Sequence, residues 1–288
     1  MSFIADEVGR QPETWARALD ESSRWSDALP SPGERVAVIG CGTSWFMAEA
    51  YAALREDAGL GETDFFTASR LPKDRSYDRV VAITRSGTTT EVIDALRTSK
   101  ARRTVITAVP ETPVADVADD IVDLAFADEQ SVVQTLFATT ALMVLRGSLG
   151  QDLGDVVRQG RAVLDGADDA PAAPQYSFLG SGWAHGIARE AALKLREAAQ
   201  VWTESYPQLE YRHGPIAIAE PGRVVWVFGA PEPGLADDIA PTGATFENAD
   251  LDPVADLVRV HRLASRLATS LGLDPDRPRH LTRSVVLR

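Results

Sequence analysis

The chain of 288 residues has one cysteine, four histidines and no long apolar run. The single cysteine, Cys41, rules out an intramolecular disulfide and is typical of a cytosolic protein. The histidines are scattered without the spacing of metal ligands, so we expect no metal ion and no cofactor. No window approaches the ~20 apolar residues of a membrane span, and Asp6 and Glu7 stand where a secretory signal carries basic residues. These absences predict a cytoplasmic protein that contacts no membrane.

Positive charge is also scarce, because 29 basic residues face 42 acidic ones and give a formal net charge of −13. Nucleic acids and anionic membranes both require a basic surface, so we expect neither as a partner. An anionic substrate would have to be bound by local groups and not by the overall field of the protein. The hydrophobic content of 44% is that of an ordinary globular protein with one or two domains.

A glycine-rich turn follows the first predicted strand. The strand Arg35–Ile39 leads into Gly40-Cys41-Gly42-Thr43-Ser44 and then a helix, an order common to nucleotide and phosphate sites of α/β proteins. Trp45 stands where a dinucleotide-binding turn needs a third glycine, so NAD binding is not expected. The end of the turn, at Gly42, Thr43 and Ser44, is a candidate phosphate-binding segment.

A second turn is richer in hydrogen-bond donors. The strand 78–83 runs into Thr84-Arg85-Ser86-Gly87-Thr88-Thr89-Thr90, and a helix follows from Glu91. Five hydroxyls, an arginine and a helix N-terminus supply donors and a positive dipole end, which suit a phosphate dianion. Capping of the helix alone would use one or two hydroxyls. We therefore favour a phosphate site, whose candidate residues are Thr84, Arg85, Ser86, Gly87 and Thr89.

The remaining pattern predicts an α/β fold built from two similar halves. Strands at 104–109 and 121–126 precede Asp128–Thr135, which opens a predicted helix reaching about Leu149. Residues 166–174 are rich in Asp, Ala and Pro and are typical of a linker between a first half, 1–165, and a second half, 175–288. Four small residues recur 140 positions later: Gly40, Gly42, Ala48 and Ala52 become Gly180, Gly182, Ala188 and Ala192. We expect two parallel sheets flanked by helices, with ligands bound where strands end.

The second half carries candidate acid and base groups. After a turn at Gly180-Ser181-Gly182, a long helical pattern includes Lys194 and Glu197, and the following loop contains His213. Taken alone, Lys194 and Glu197 are better explained as an ion pair on one helix face. His213 is equally well explained as a loop histidine that binds nearby carbonyls. The same residue types could also supply a base and an acid for proton transfer.

These motifs together resemble the sugar isomerase (SIS) domain family. The resemblance rests on Ala192-Leu193-Lys194-Leu195-Arg196-Glu197, with His213-Gly214-Pro215 sixteen positions beyond Glu197, and on the hydroxyl-rich loop at 84–89. It extends to a Glu-x-Ser-Val-x-x-Thr element that runs from Glu129 to Thr135. Proteins of this family act on phosphosugars through an enediol. The resemblance implies that Ser44 and the loop hydroxyls bind phosphate.

The resemblance also implies roles at the sugar. Glu197 matches the proton-shuttling glutamate, Lys194 a lysine near the sugar, and Glu129 and Val132 residues that approach the sugar. The last segment that matches is Leu281-Thr282-Arg283-Ser284-Val285, in which Arg283 replaces the imine-forming lysine of family members that aminate keto sugars. A guanidinium cannot form that imine and instead binds oxyanions or carbonyls. Either Arg283 or Lys194 could therefore steady a carbonyl oxygen.

His213 matches the family's ring-opening histidine, which reaches into the site of the neighbouring subunit, so the resemblance implies a homodimer with shared active sites. The chain lacks a nucleophilic cysteine at its start, and we expect no glutaminase activity.

Three reactions can follow removal of the C2 proton from a hexosamine 6-phosphate. They are aldose–ketose isomerisation, deamination of a free 2-amino sugar, and β-elimination of the 3-hydroxyl from an N-acetylated sugar, as in N-acetylglucosamine 6-phosphate. By a narrow margin, we favour β-elimination of the 3-hydroxyl. A phosphosugar sensor without activity is the alternative of another class, although the presence of both Glu197 and His213 favours turnover.

Overall fold

Each half of the chain contains one parallel sheet in the computed structural model, which describes residues 2–287. The first sheet consists of β1 (Val36–Gly40), β2 (Thr63–Thr67), β3 (Arg79–Ile83), β4 (Arg102–Thr107) and β5 (Asp120–Asp123). The second consists of β6 (Gln175–Gly180), β7 (Trp202–Pro207), β8 (Val224–Phe228) and β9 (Thr245–Asn248). The strand orders are β2-β1-β3-β4-β5 and β7-β6-β8-β9. The predicted α/β architecture with two parallel sheets is confirmed.

Four of the inner strands are buried along their whole length, as is typical of parallel sheets. Every residue of β1, β3, β6 and β8 is buried. Parallel sheets are covered by helices on both faces, so their inner strands are nearly continuous apolar runs. One apolar cluster includes Val38 of β1 and Phe178 of β6, so the two sheets share a core.

The helices between and around the sheets are α1 (Phe3–Gly9), α2 (Gln11–Asp20), α3 (Thr43–Asp57), α4 (Thr90–Thr98), α5 (Leu136–Ser148), α6 (Gly154–Asp165), α7 (Ala184–Ala199), α8 (Leu235–Ile239) and α9 (Pro253–Ser270). Irregular chain at 166–174 joins α6 to β6. Within residues 2–287, no helix is both long and apolar enough to cross a membrane.

The prediction of a helix from residue 128 is wrong for the first turns, because α5 begins only at Leu136. The side chain of Glu129 accepts hydrogen bonds from the backbone N–H of Thr135, at 2.5 Å, and of Leu136. A carboxylate that binds these first amide groups caps the helix and leaves the preceding residues in a loop.

Helices α3 and α7 cross closely and in opposite directions between the two sheets. A Cβ atom on Gly186 would lie 2.6 Å from the carbonyl oxygen of Phe46 and 3.0 Å from the backbone nitrogen of Ala50. At the other end, a Cβ atom on Gly42 would lie 3.9 Å from Leu193. The C-terminal end of α7 is therefore next to the N-terminal end of α3.

The predicted repeat has the same backbone turn in both halves. Gly42 after β1 has φ 56° and Gly182 after β6 has φ 54°, a region that favours glycine. The preceding glycines are crowded in the same way. A Cβ atom on Gly40 would lie 2.5 Å from the carbonyl carbon of Ser44, and one on Gly180 would lie 2.4 Å from that of Ala184.

The residues after α9 return to the first half of the chain. Asp276 accepts hydrogen bonds from the backbone N–H groups of Phe3 and Ile4, both at 2.8 Å. Further along, the carbonyl oxygen of Val285 accepts from the backbone N–H of Thr90 at 3.2 Å. The apolar residues at the end of this segment form no strand up to residue 287. We call residues 274–287 the tail.

Candidate active site

A small cavity lies where β3 ends and α4 begins, which is where the sequence predicted phosphate binding. Four hydroxyl-bearing residues line it, namely Ser44, Thr84, Ser86 and Thr89. Ser44 belongs to the first turn of α3 and Thr89 immediately precedes α4, so two helix N-termini adjoin the cavity. Donors and positive dipole ends converge here, as an anion requires. We call this space the hydroxyl cavity.

Gly87 allows the loop to turn at the edge of the hydroxyl cavity. Its φ is 64°, and a Cβ atom would lie 1.9 Å from the hydroxyl oxygen of Thr112. The hydroxyl of Thr88 donates to Ser86 at 3.1 Å, and it lies 3.0 Å from the hydroxyl of Ser284 in the tail. The loop is therefore fixed from two sides.

Arg85 also lines the cavity, but most of its guanidinium is used to hold neighbouring chain. It donates to the carbonyl oxygens of Ser131 at 2.9 Å, Val132 at 3.3 Å and Arg283 at 2.9 Å. Glu129 lies 3.6 Å from the same guanidinium. Arg85 thus joins the loop before α5 and the tail to the wall of the cavity.

Glu129, Val132 and Thr43 have structural contacts of their own. Glu129 caps α5. The backbone of Val132 bonds to Arg85 and to the tail, where the carbonyl oxygen of Asp276 accepts its N–H at 3.2 Å. Thr43 opposes the rise in the pKa of Glu190 of α7.

Lys194 is buried near the end of α7 between two carboxylates. Its Nζ atom donates to Glu197 Oε2 at 2.5 Å and lies 3.5 Å from Glu190 Oε1. Only 1% of the Lys194 side chain is exposed, against 20% for Glu197. The spacing of three and four residues puts all three groups on one face of the helix. Glu197 is therefore the member of this cluster that a substrate can reach.

Burial and charge distribute the protons within this cluster. Burial raises the pKa of Glu190, and this outweighs the opposing effect of Lys194. Burial lowers the pKa of Lys194, but Glu190 and Glu197 together raise it further, so the net shift is upward. At neutral pH the ammonium is retained, and Glu190 is the carboxyl that most readily holds a proton.

A larger cleft of about 440 Å³ opens beside Glu197. The end of α7 and the start of β7 form one wall, with Gln200 and Trp202, and the tail forms another, with Arg279, His280 and Leu281. The side chain of Arg283, two residues beyond Leu281, lines the hydroxyl cavity. Two residues of chain span at most about 7 Å, so the two spaces adjoin along the tail. We call this space the α7–tail cleft.

Arg283 ties the tail to the loop before α5. Its guanidinium donates to the carboxylate of Asp128 and to the carbonyl oxygen of Glu129. In these positions it is a tether for the tail as well as a lining residue of the hydroxyl cavity.

His213 is not near Glu197 within one chain. Glu197 lies before β7 begins at Trp202, and His213 follows after β7 has ended at Pro207. A six-residue strand is about 20 Å long, so the two residues lie near opposite ends of β7. His213 is exposed.

Several residues at the site carried no signal in the sequence. Glu190 is one of 42 acidic residues, and only the packing of α7 buries it. Gln134 lines the hydroxyl cavity with its side-chain oxygen buried and without a partner among residues 2–287. Its place within the Glu129–Thr135 element could have drawn attention to it. His280 lies directly before the Leu281–Val285 match but outside it.

The assembled site can bind an anion at one end and move a proton at the other. The hydroxyl cavity supplies neutral donors, and the α7–tail cleft supplies a partly exposed carboxylate whose orientation is fixed by a buried ammonium. Removal of a proton next to a carbonyl requires a base in a defined position, and the Lys194 contact provides that position.

Comparisons with known proteins find relatives of similar sequence. The chain is 27% identical over 318 residues to a glutamine–fructose-6-phosphate aminotransferase (isomerizing) of Gloeobacter violaceus, covering 88% of this chain and 52% of the relative. A protein of the same name from Rhizobium leguminosarum is 28% identical over 365 residues, covering 99% of this chain and 59% of the relative. The chain thus spans little more than half the length of these relatives. No family model matches it.

Solved structures share the whole fold. Glucosamine-6-phosphate deaminase from Thermotoga maritima superposes with a TM-score of 0.85 at 22% identity, covering 99% of this chain and 100% of the other. Tagatose-6-phosphate ketose/aldose isomerase from Escherichia coli gives 0.80 at 18% identity, covering 100% and 96%. In its two parallel sheets, its hydroxyl-rich turn and these relatives, the chain is similar to proteins of the SIS (sugar isomerase) domain family.

Proposed function

We propose that the chain is an enzyme that transfers the C2 proton of a hexosamine 6-phosphate, with Glu197 as the base. The observation that carries the proposal is the position of Glu197, which is partly exposed in the α7–tail cleft and held by the buried Lys194. The same tail lines both this cleft and the hydroxyl cavity. The phosphate binds in the hydroxyl cavity, and C1 and C2 of the sugar lie in the α7–tail cleft.

The contact with Lys194 explains how Glu197 would work. Lys194 occupies one carboxylate oxygen, Oε2, so the other oxygen remains for the substrate. Glu197 takes the proton from C2, and the electrons of that bond form the C1–C2 double bond of an enediol or enolamine. Return of the proton to C1 gives the ketose form, and a 2-imine formed from an amino sugar hydrolyses to release ammonia.

Isomerisation or deamination is the outcome that we propose. The relatives include an isomerizing aminotransferase, a deaminase and a ketose/aldose isomerase, all named for phosphosugar substrates. The described residues give no reason to prefer β-elimination, which the sequence analysis placed first by a narrow margin.

A homodimer would complete the site. Each chain carries Glu197 and His213 near opposite ends of β7. Ring opening needs an acid and a base near the sugar oxygens. We propose that His213 of the partner subunit enters the site, as the family resemblance implies. A mixture of Glu197→Gln and His213→Asn proteins, each inactive alone, should then regain activity after subunit exchange. If the mixture remains inactive after subunit exchange has been verified, the prediction of a shared site is wrong.

The main test is a proton NMR time course in D2O with glucosamine 6-phosphate, N-acetylglucosamine 6-phosphate and fructose 6-phosphate. The rate at which the C–H signal at C2, or at C1 of the ketose, is lost should be about 10²- to 10⁴-fold lower in Glu197→Gln. Glu62→Gln is the matched control, since Glu62 is also paired with a basic residue, Arg35, but its side chain is 77% exposed. The product identifies the reaction. Saturable binding without exchange would support a sensor instead.

A further inference from the structure

The tail presents a histidine to the cleft that contains Glu197. Its start is fixed by Asp276, which accepts from the backbone of Phe3 and Ile4. Its later part is fixed by Arg283, which donates to Asp128 and Glu129. The segment between these two anchors carries His280 into the wall of the α7–tail cleft.

The backbone at His280 has a conformation that is uncommon for a residue other than glycine. Within residues 2–287, only Gln200 (φ 55°) and His280 (φ 66°) are non-glycine residues with positive φ, and both line the α7–tail cleft. Gln200 ends α7, where a left-handed residue is ordinary. His280 ends no helix, and a left-handed conformation costs about 1–2 kcal/mol for such a residue. Conformations of this kind cluster at functional sites.

The proposed chemistry needs a proton donor that the other cations do not supply. As the C2 proton leaves, the carbonyl oxygen on C1 must gain a proton or a strong hydrogen bond. Lys194 is 1% exposed and occupied by two carboxylates. The guanidinium of Arg283 is occupied by Asp128 and Glu129. Within one chain, His213 lies near the other end of β7, away from Glu197.

His280 has the chemistry and the freedom for this step. An imidazole ring can both donate and accept a proton. Its ring has no hydrogen-bond partner within the part of the chain that the structure describes. The charged groups that share the cleft with it are Glu197 and Arg196 from α7 and Arg279 from the tail.

We propose that His280 is a further catalytic residue that exchanges protons with the oxygen on C1 and the heteroatom on C2. As Glu197 takes the C2 proton, His280 donates a proton to the C1 oxygen, which gives the neutral enediol or enolamine. When Glu197 returns its proton to C1, the neutral His280 accepts the proton from the oxygen or nitrogen on C2. Both groups are then back in their starting states. This assignment rests on the proposed function.

The test uses two substitutions that suit the backbone. Glycine and asparagine both tolerate a positive φ, so His280→Gly and His280→Asn should fold and bind substrate normally. We expect kcat for C2 exchange or product formation to fall about 10²- to 10⁴-fold in both, with KM little changed. Added imidazole should restore part of the rate to His280→Gly and none to His280→Asn, because only glycine leaves the ring's space empty.

The outcomes separate the two proposals. If both variants retain the wild-type kcat and pH profile while Glu197→Gln is inactive, His280 has no catalytic role and the proposed function stands. The same holds if kcat falls without imidazole rescue and with an unchanged pH profile, since His280 would then act only by shaping the tail. If the wild type shows neither exchange nor product with any of the three sugars, both proposals fail.

Discussion

The crossing of α3 and α7 at Gly186 predicts how a single methyl group would affect both stability and activity. The added Cβ atom of Gly186→Ala would meet the carbonyl oxygen of Phe46 at 2.6 Å and the backbone nitrogen of Ala50 at 3.0 Å. Both atoms belong to helix backbone and cannot rotate away. One helix must therefore move relative to the other.

The expected magnitude comes from two opposing effects. Alanine is favoured over glycine inside a helix by about 1 kcal/mol, whereas forcing an extra methyl group into a packed interior costs about 1–3 kcal/mol. We expect Gly186→Ala to lower the free energy of unfolding by up to about 2 kcal/mol. The matched control is Gly9→Ala at the end of α1, where no atom lies within 4 Å of the added Cβ. That variant should keep or gain stability.

Two assays measure these effects. Guanidinium denaturation followed by circular dichroism gives the stability difference between the two alanine variants. C2 exchange reports the position of Glu197, because the same crossing sets the end of α7 against the N-terminus of α3, and a displacement of 1 Å can lower a rate about 10²-fold. If Gly186→Ala is as stable and as active as Gly9→Ala, close packing of these helices does not set the site geometry.

Two further predictions follow from other close contacts. In Gly87→Ala, strain at φ 64° and the clash with Thr112 should displace the loop of the hydroxyl cavity and weaken phosphosugar binding about tenfold or more; calorimetry tests this against Gly150→Ala, which has φ 79° but open space around it. Burial, with a smaller effect from Lys194, lowers the pKa of His261 to about 3. The unfolded chain therefore binds the proton first, so stability present above pH ~6.5 is lost as pH falls toward 3, by about 1.4 kcal/mol per pH unit. His261→Gln should flatten this dependence in denaturation curves at pH 7 and pH 5, and an unchanged slope would contradict it.

The inner strands and the edge strand β5 could be predicted from the sequence, whereas the other three edge strands could not. β1 and β3 are continuous apolar runs followed by turns, because both faces of an inner strand are covered. The strands that escaped prediction, β2, β7 and β9, all lie at an edge of a sheet. In β7, Trp202 and Pro207 are exposed while Thr203 is buried, so its residues follow no simple apolar pattern.

The candidate site divides in the same way. Thr84, Ser86 and Thr89 lie on one continuous turn, so their spacing alone indicated an anion site. Glu190 and His280 become part of the site only when α7 is packed and the tail returns, contacts that no local pattern encodes. The loop before α5 shows the limit from the other side, because helical propensity there is overridden by a single buried carboxylate.

The matching turns after β1 and β6 separate the geometry of a turn from the use that its side chains are given. Both turns contain glycines with the same φ and the same crowding. The turn is a property of the backbone, whereas the proposed phosphate recognition depends on the hydroxyl side chains that follow β3. At the equivalent place after β8 the chain reads Gly229-Ala230-Pro231. One half of the fold can therefore keep the backbone of the other while its side chains serve a different purpose.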